Sequence, residues 1–165
     1  MELGLKDHLQ SLRFGETQQY KNISVIPLLN GAEGKIDYLT LPEALATSAI
    51  AVSEVSVEGS VPKLLVINRV NKPVLLIDGE ELAGAKQNRV LNTSILLKEN
   101  SETIIPVSCT EQGRWSSMGK NFSESGNVMS QKSRARKSQS VSYSLAAEGT
   151  FASNQGQVWS DIAAL

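Results

Sequence analysis

Val61-Pro62-Lys63-Leu64-Leu65-Val66-Ile67-Asn68-Arg69-Val70-Asn71-Lys72-Pro73-Val74-Leu75-Leu76-Ile77-Asp78 contains two nearly continuous apolar runs divided by Asn71-Lys72. Such runs read as strands buried on both faces, and the short polar break reads as a hairpin between two central strands. On the N-terminal side, Ile50 and Val52 share one parity while Val55 and Val57 share the other, which predicts a bulge near Ser53-Glu54. On the C-terminal side, Arg89 to Leu97 alternates, with Leu91, Thr93, Ile95 and Leu97 on one face. A turn at Glu99 to Glu102 leads into a strand from Thr103 to Cys109.

Further out, Leu3, Leu5, Leu9 and Leu12 have the spacing of a short amphipathic helix ending before Gly15. Asn22 to Leu29 reads as a strand, and Lys35 to Leu39 as a second strand pairing back across a Gly-rich turn. Thr40-Leu41-Pro42-Glu43 reads as a helix start, because proline is tolerated in the first turn and an acid suits the positive helix end. After Trp115 the chain becomes serine-rich. A loop is expected over Ser116 to Gly126, then a helix from Asn127 to Ala147 ended by Gly149. Ser153 is the expected cap of a last helix with Val158, Trp159, Ile162 and Leu165 on its apolar face.

Short strands with turn signals and few intervening helices favour an α+β fold over a doubly wound parallel sheet. The expected architecture is a mostly antiparallel β-sandwich or partial barrel with C-terminal helices. One domain over 1–165 is expected, β-rich over about 20–115 and then serine-rich and helical over about 116–165. The last helix keeps an apolar face where the sequence stops, which raises the expectation of a fragment of a longer chain.

Composition bounds the function. The 165 residues are 41% hydrophobic and 20% charged, an ordinary globular balance. A net charge of -1 argues against a chain devoted to nucleic acid, which is therefore not an expected partner. One cysteine, Cys109, rules out an internal disulfide framework and fits a reducing compartment. With no secretory leader in view and no apolar stretch near the roughly 20 residues that span a bilayer, the expected location is the cytoplasm, away from membrane.

Two polar stretches between apolar runs are the candidate sites. In Asp78-Gly79-Glu80-Glu81-Leu82-Ala83-Gly84-Ala85-Lys86-Gln87-Asn88-Arg89, the acids Asp78, Glu80 and Glu81 are candidates for acid–base work. Asp78 with one of the glutamates would also suit a divalent cation such as magnesium. Lys86, Gln87, Asn88 and Arg89 suit phosphate or carboxylate recognition. The alternative is a structural knot in which Arg89 pairs with Asp78 or Glu81. In Ile105 to Trp115, a strand again runs into a polar turn. Glu111, Gln112, Arg114 and Trp115 would clamp an anionic planar ligand by charge and stacking.

Cys109 shares a strand face with Ile105 and Val107 and reads as a small buried hydrophobe. His8, the sole histidine, lies on the N-terminal helix, so Ser-His-Asp and Cys-His catalysis lack support. Lys132, Arg134, Arg136 and Lys137 read as a solvated helix face, with a phosphate-gripping lid as the rival.

These blocks, with Asn22 to Leu28, Tyr38 to Leu45, Glu54-Val55, Gly59 to Leu64 and Gln155 with Val158-Trp159, resemble the ARG and rhodanese-phosphatase-superfamily-associated protein domain. That family is prokaryotic and named for its genomic company. The resemblance implies a link to ADP-ribose or related nucleotide and phosphate metabolites, and assigns no reaction. Two functions follow as expectations. One is binding of a nucleotide-like or phosphate-bearing small molecule, with catalysis left open. The other is a non-catalytic module docking a protein partner of the ADP-ribosylglycohydrolase-like or phosphatase-like kind.

Overall fold

A computed structural model describes residues 2–30, 37–56, 58–113, 119 and 121–164, in two compact units, Met1–Ile36 and Asp37–Leu165. In the first unit, helix α1 (Glu2–Ser11) runs directly into strand β1 (Leu12–Phe14). Strands β2 (Gln18–Tyr20), β3 (Ile23–Val25) and β4 (Leu28–Asn30) follow; β2 pairs with β3 and β1 with β4, all antiparallel. The single strand expected over Asn22 to Leu29 is therefore two. Pro27 has no N–H to continue the ladder, and its carbonyl instead accepts the Gly15 N–H at 2.8 Å.

In the second unit, β5 (Leu39–Thr40) leads into helix α2 (Leu41–Ala46) as the sequence predicts. The Glu43 carboxylate reaches back to accept both the Thr40 N–H (2.8 Å) and the Thr40 hydroxyl (2.7 Å), closing a capping box. Strands β6 (Ile50–Glu54), β7 (Lys63–Asn68), β8 (Val74–Leu76), β9 (Glu80–Gly84), β10 (Arg89–Leu91), β11 (Ile95–Leu97), β12 (Ser101–Cys109) and β13 (Phe122–Val128) come next. Helices α3 (Gln131–Glu148) and α4 (Gln155–Ala163) follow them.

The fold is α+β and mostly antiparallel. Six strands form a curled sheet in the order β13-β9-β10-β12-β7-β6, and an isolated bridge between Ser53 and Asn121 brings its two edges together as a half-barrel. A second sheet has the order β11-β8-β5, with β5 and β8 parallel. Between them lies the core: Leu41 and Ala44 of α2 pack with Val52, Leu64, Val66, Val74, Leu76, Leu82, Leu91, Ile105 and Val107. Truncating any of the fully buried leucines to alanine costs about 2–5 kcal/mol.

Several local expectations change. The two apolar runs are not a hairpin: β7 pairs with β6 and β12, while β8 pairs with β11 and β5. Buried Asn68 explains the redirection. Its amide donates to the carbonyls of Lys72 and Lys98 (2.9 Å each) and its oxygen accepts the Val70 N–H, so two turns are tied together where a tight hairpin would have been. The expected bulge at Ser53-Glu54 is absent, because β6 pairs in unbroken register from Ile50 to Glu54 and then leaves the sheet. An irregularity falls in β13, between Glu124 and Val128.

Arg89 to Leu97 is likewise two strands, since Asn92 to Ser94 carry the chain from one sheet to the other. The expected loop over Ser116 to Gly126 includes the first half of β13; residues 114–118 and 120 lie outside the described set. Helix α3 starts at Gln131, capped by Ser130, and ends at a left-handed Gly149. The last helix is capped by Asn154, one residue beyond Ser153, because the Asn154 side chain accepts the Gln157 N–H at 3.0 Å. Leu165, most of the expected Gly-rich turn, and Lys35 and Ile36 of the expected second strand lie outside the described residues, and Leu39 pairs in parallel with Val74. Among the described residues no helix is long and apolar enough to cross a membrane.

Candidate functional site

The first polar block folds as the hairpin β9–β10, and its acids go to three different places. Asp78 lies in the turn before β9. Gly79 adopts φ +88°, so the chain can reverse there, and its N–H donates to the Leu91 carbonyl at 3.1 Å. The Asp78 carboxylate faces two cations of α3: Lys137 Nζ on one oxygen, and Arg134 Nε at 3.4 Å on the other. The Glu80 carboxylate turns back to accept the Ile77 N–H at 2.7 Å. Burial raises the Glu80 pKa, opposed by that amide, with Glu124 adding to the rise and Arg134 countering it.

Glu81 points to the opposite face of the strand from Glu80, as neighbours must. It accepts the Thr110 hydroxyl at 2.6 Å and the Asn127 amide at 3.2 Å. Among the described residues no three His, Cys, Asp or Glu side chains converge in a way that would hold a metal ion.

The far end of the hairpin is where the second block arrives. Glu111 accepts the Asn88 N–H on its carboxylate at 2.7 Å and the Gln87 side-chain amide on its carbonyl at 3.0 Å. Asn88 in turn accepts the Gly84 N–H at 3.1 Å. Gly84 itself (φ +130°) lies where a Cβ would come within 2.8 Å of the Asn121 carbonyl, so a side chain there would push β13 away. Lys86 reaches out to the Glu58 carbonyl at 2.5 Å.

Arg89 is fully buried. Its guanidinium donates to Gln87 at 2.8 Å and lies 3.7 Å from Glu54, so its anionic neighbour is Glu54 and not Asp78 or Glu81. Cys109 is buried, and its thiol donates to the Glu111 carbonyl at 3.0 Å. Gln112 is exposed in the same turn, while Arg114 and Trp115 lie outside the described residues.

The two blocks enclose a cleft of about 300 Å³. Glu81, Thr110, Glu111 and Asn127 line its polar side, and Val90 and Ile162 its apolar side. Ser130 and Ser133 at the start of α3 also face it. A larger groove of about 770 Å³ runs between α3 and α4, but no described residue of either block lines it.

Sequence reasoning missed the role of α3. Its three buried residues are Ser133, Lys137 and Val141, spaced one turn apart. Lys137, expected on a solvated face, is the best-buried lysine among the described residues: its ammonium also donates to the Leu91 carbonyl at 2.6 Å. Burial lowers its pKa, with Asp78 pulling the other way. Arg136 binds the buried Asp161 of α4 at 2.6 Å. Gln155, at the head of α4, donates to the Cys109 carbonyl (2.7 Å) and accepts the Cys109 N–H (2.8 Å), docking the helix on β12 beside the second block. The i, i+4, i+8 spacing of Ser133, Lys137 and Val141 was present in the sequence, but with a serine and a lysine in it the stripe carries no apolar signal.

Both polar blocks, the Thr40 capping box and Gln155 all lie within one stretch of sequence, residues 11–165, that matches the model of the ARG and rhodanese-phosphatase-superfamily-associated protein domain. The chain belongs to that family. The family name records an association with ARG and rhodanese-phosphatase superfamily proteins. No curated protein and no solved structure matches the chain.

Proposed function

We propose that the ARG and rhodanese-phosphatase-associated domain described above binds a hydroxyl-rich, nucleotide-derived small molecule of the ADP-ribose kind in the cleft between its two polar turns. The observation that carries this reading is the joining of two blocks distant in sequence, Glu111 onto Asn88 and Thr110 onto Glu81, around one cleft. Carboxylates flanked by hydroxyl and amide groups suit a ribose diol, which donates two hydrogen bonds to one carboxylate. Glu81 is the acceptor, Asn127 and Thr110 hold it in place, and Val90 and Ile162 cover the ligand's apolar face. Gln87 and Arg89 act from behind, as positioning residues for the Glu111 turn. Arg114 and Trp115 follow Glu111 after Gln112 and Gly113 in the sequence and are assigned the phosphate and the base. Lys86 and Gln112 border the same turns.

A thermal-shift series with ADP-ribose, NAD, ribose 5-phosphate and divalent ions tests it, because a ligand of the native state raises Tm. ADP-ribose is expected to raise Tm in the wild type and not in Glu81→Gln, a variant that keeps the shape and one acceptor. No shift with any of these compounds would refute the reading.

A second reading has its own support. The polar side chains of the first block have partners inside the protein: Lys137 and Arg134 for Asp78, Ile77 for Glu80, Thr110 for Glu81, Glu111 for Gln87. A block satisfied internally also serves as scaffold for a non-catalytic module that docks a phosphatase-like or ADP-ribosylglycohydrolase-like protein. Co-purification with such a partner, unaffected by Glu81→Gln, together with no ligand response, would favour it.

A further inference from the structure

A second cleft, of about 390 Å³, lies where α3 crosses the Asp78 turn. Its polar lining includes Asp78, Asn92, Thr93, Ser94, Arg134 and Ser138, and its apolar lining includes Leu145 and Phe151. None of the roles assigned above uses it.

Arg134 is held there from two sides. Its Nε faces Asp78 at 3.4 Å, and its aliphatic stem lies on Gly79, where a Cβ would come within 2.6 Å of the arginine Cδ. The missing side chain at Gly79 is thus the space the arginine occupies. Among the described residues, that Nε contact is the one side-chain hydrogen bond Arg134 makes, so its two terminal NH2 groups keep their donors. Lys137 holds the other Asp78 oxygen, so Arg134 is bound to this carboxylate through its Nε alone. Glu80 is close enough to feel Arg134, but its carboxylate is committed to the Ile77 N–H. Ser94 accepts the Asp78 N–H at 3.0 Å, leaving its own hydroxyl proton to donate, and the exposed Ser138 hydroxyl adds another donor.

We propose that this cleft binds the phosphate of a small phosphomonoester, with Arg134 as its bidentate partner, the Ser94 and Ser138 hydroxyls as further donors, and Phe151 against the organic part. A fixed arginine fork with terminal donors to spare matches phosphate geometry better than a mobile lysine does. The site stands apart from the cleft between the two turns and does not depend on that reading.

The test is calorimetric titration of the whole chain with AMP and with inorganic phosphate, in low salt. Binding of AMP is expected, weakened at least about tenfold by Arg134→Gln and again by Ser138→Glu, which places a like charge in the cleft from an exposed position. Lys132→Gln removes the same unit of charge from the exposed side of α3 and is expected to leave binding within about twofold. Inorganic phosphate has no ribose diol to offer Glu81, and its binding is expected to weaken by the same factor in Arg134→Gln, which separates this site from the other cleft. Should Arg134→Gln fail to fold, Ser138→Glu decides alone. Equal losses in Lys132→Gln and Arg134→Gln would overturn the proposal by showing diffuse attraction. So would an absence of heat with both ligands up to about 10 mM.

Discussion

The two ends of strand β9 are held by different forces. At the Asp78 end the grip is ionic and comes from α3, through Lys137 and Arg134. At the Asn88 end it is a mesh of amides and one carboxylate from the neighbouring turn, through Gln87, Asn88 and Glu111. The ionic end carries the larger penalty if half of it is lost, because a buried charge without its partner costs more than a neutral hydrogen bond returns. The amide end gathers its donors on the carboxylate and carbonyl of one residue, Glu111. One strand thus places Glu81 between an ionic anchor and an amide one.

Lys137→Ala should break the ionic end most severely. With Asp78 left to the longer Arg134 contact and the Leu91 carbonyl without its donor, a loss of about 3 kcal/mol in urea unfolding is expected. Adding Asp78→Asn should recover part of it, and strict additivity of the two would show that they do not act as a pair. Glu111→Ala attacks the other end. It removes a charge-assisted bond to the Asn88 N–H, for an expected loss of about 2 kcal/mol. A loss near zero would mean that water replaces the carboxylate freely.

The ionic end should also respond to pH. Glu80 sits beside the ionic end with its pKa raised by burial. A raised acid contributes stability that is present below its unfolded pKa and is lost as pH rises through the folded value. The stability difference between wild type and Glu80→Gln should therefore shift against the wild type as pH climbs from about 4.5 upward. A pH-independent difference would contradict the assigned burial. Lys137 has the opposite arrangement. Its lowered pKa means that the unfolded chain holds the proton more tightly, so its contribution improves as pH rises from the folded value toward 10.5. Smallest of all, Lys132→Gln on the exposed side of α3 should change stability by less than about 0.5 kcal/mol.

The fold class was legible from the apolar runs and turn residues, because local alternation reports which stretches are strands. Partner choice was not. Val61 to Val70 and Pro73 to Asp78 look like a hairpin, yet Asn68 makes its bonds to Lys72 and Lys98, and such tertiary ties leave no local mark. The place where two polar blocks could meet was readable as a question, and Glu111 on Asn88 is the contact that joins them. Arg89 shares the parity of buried Leu91, so its inward direction is legible in the sequence, but its partner Glu54 lies 35 residues back and has no spacing rule to reveal it. Lys137 was hidden because a charged residue in a serine-rich helix carries the signature of a solvated face. The half-buried Asp78 carboxylate and the Leu91 carbonyl opposite it make its burial tolerable.

The central claim is that Glu81, held between the two anchors, faces a ligand cleft. Amide NMR mapping with ADP-ribose tests it most directly. The account predicts shifts concentrated at Glu81, Val90, Thr110, Asn127 and Ser133, and lost in Glu81→Gln. Shifts confined to Ser94, Arg134 and Ser138, or no shifts at saturating ligand, would contradict it.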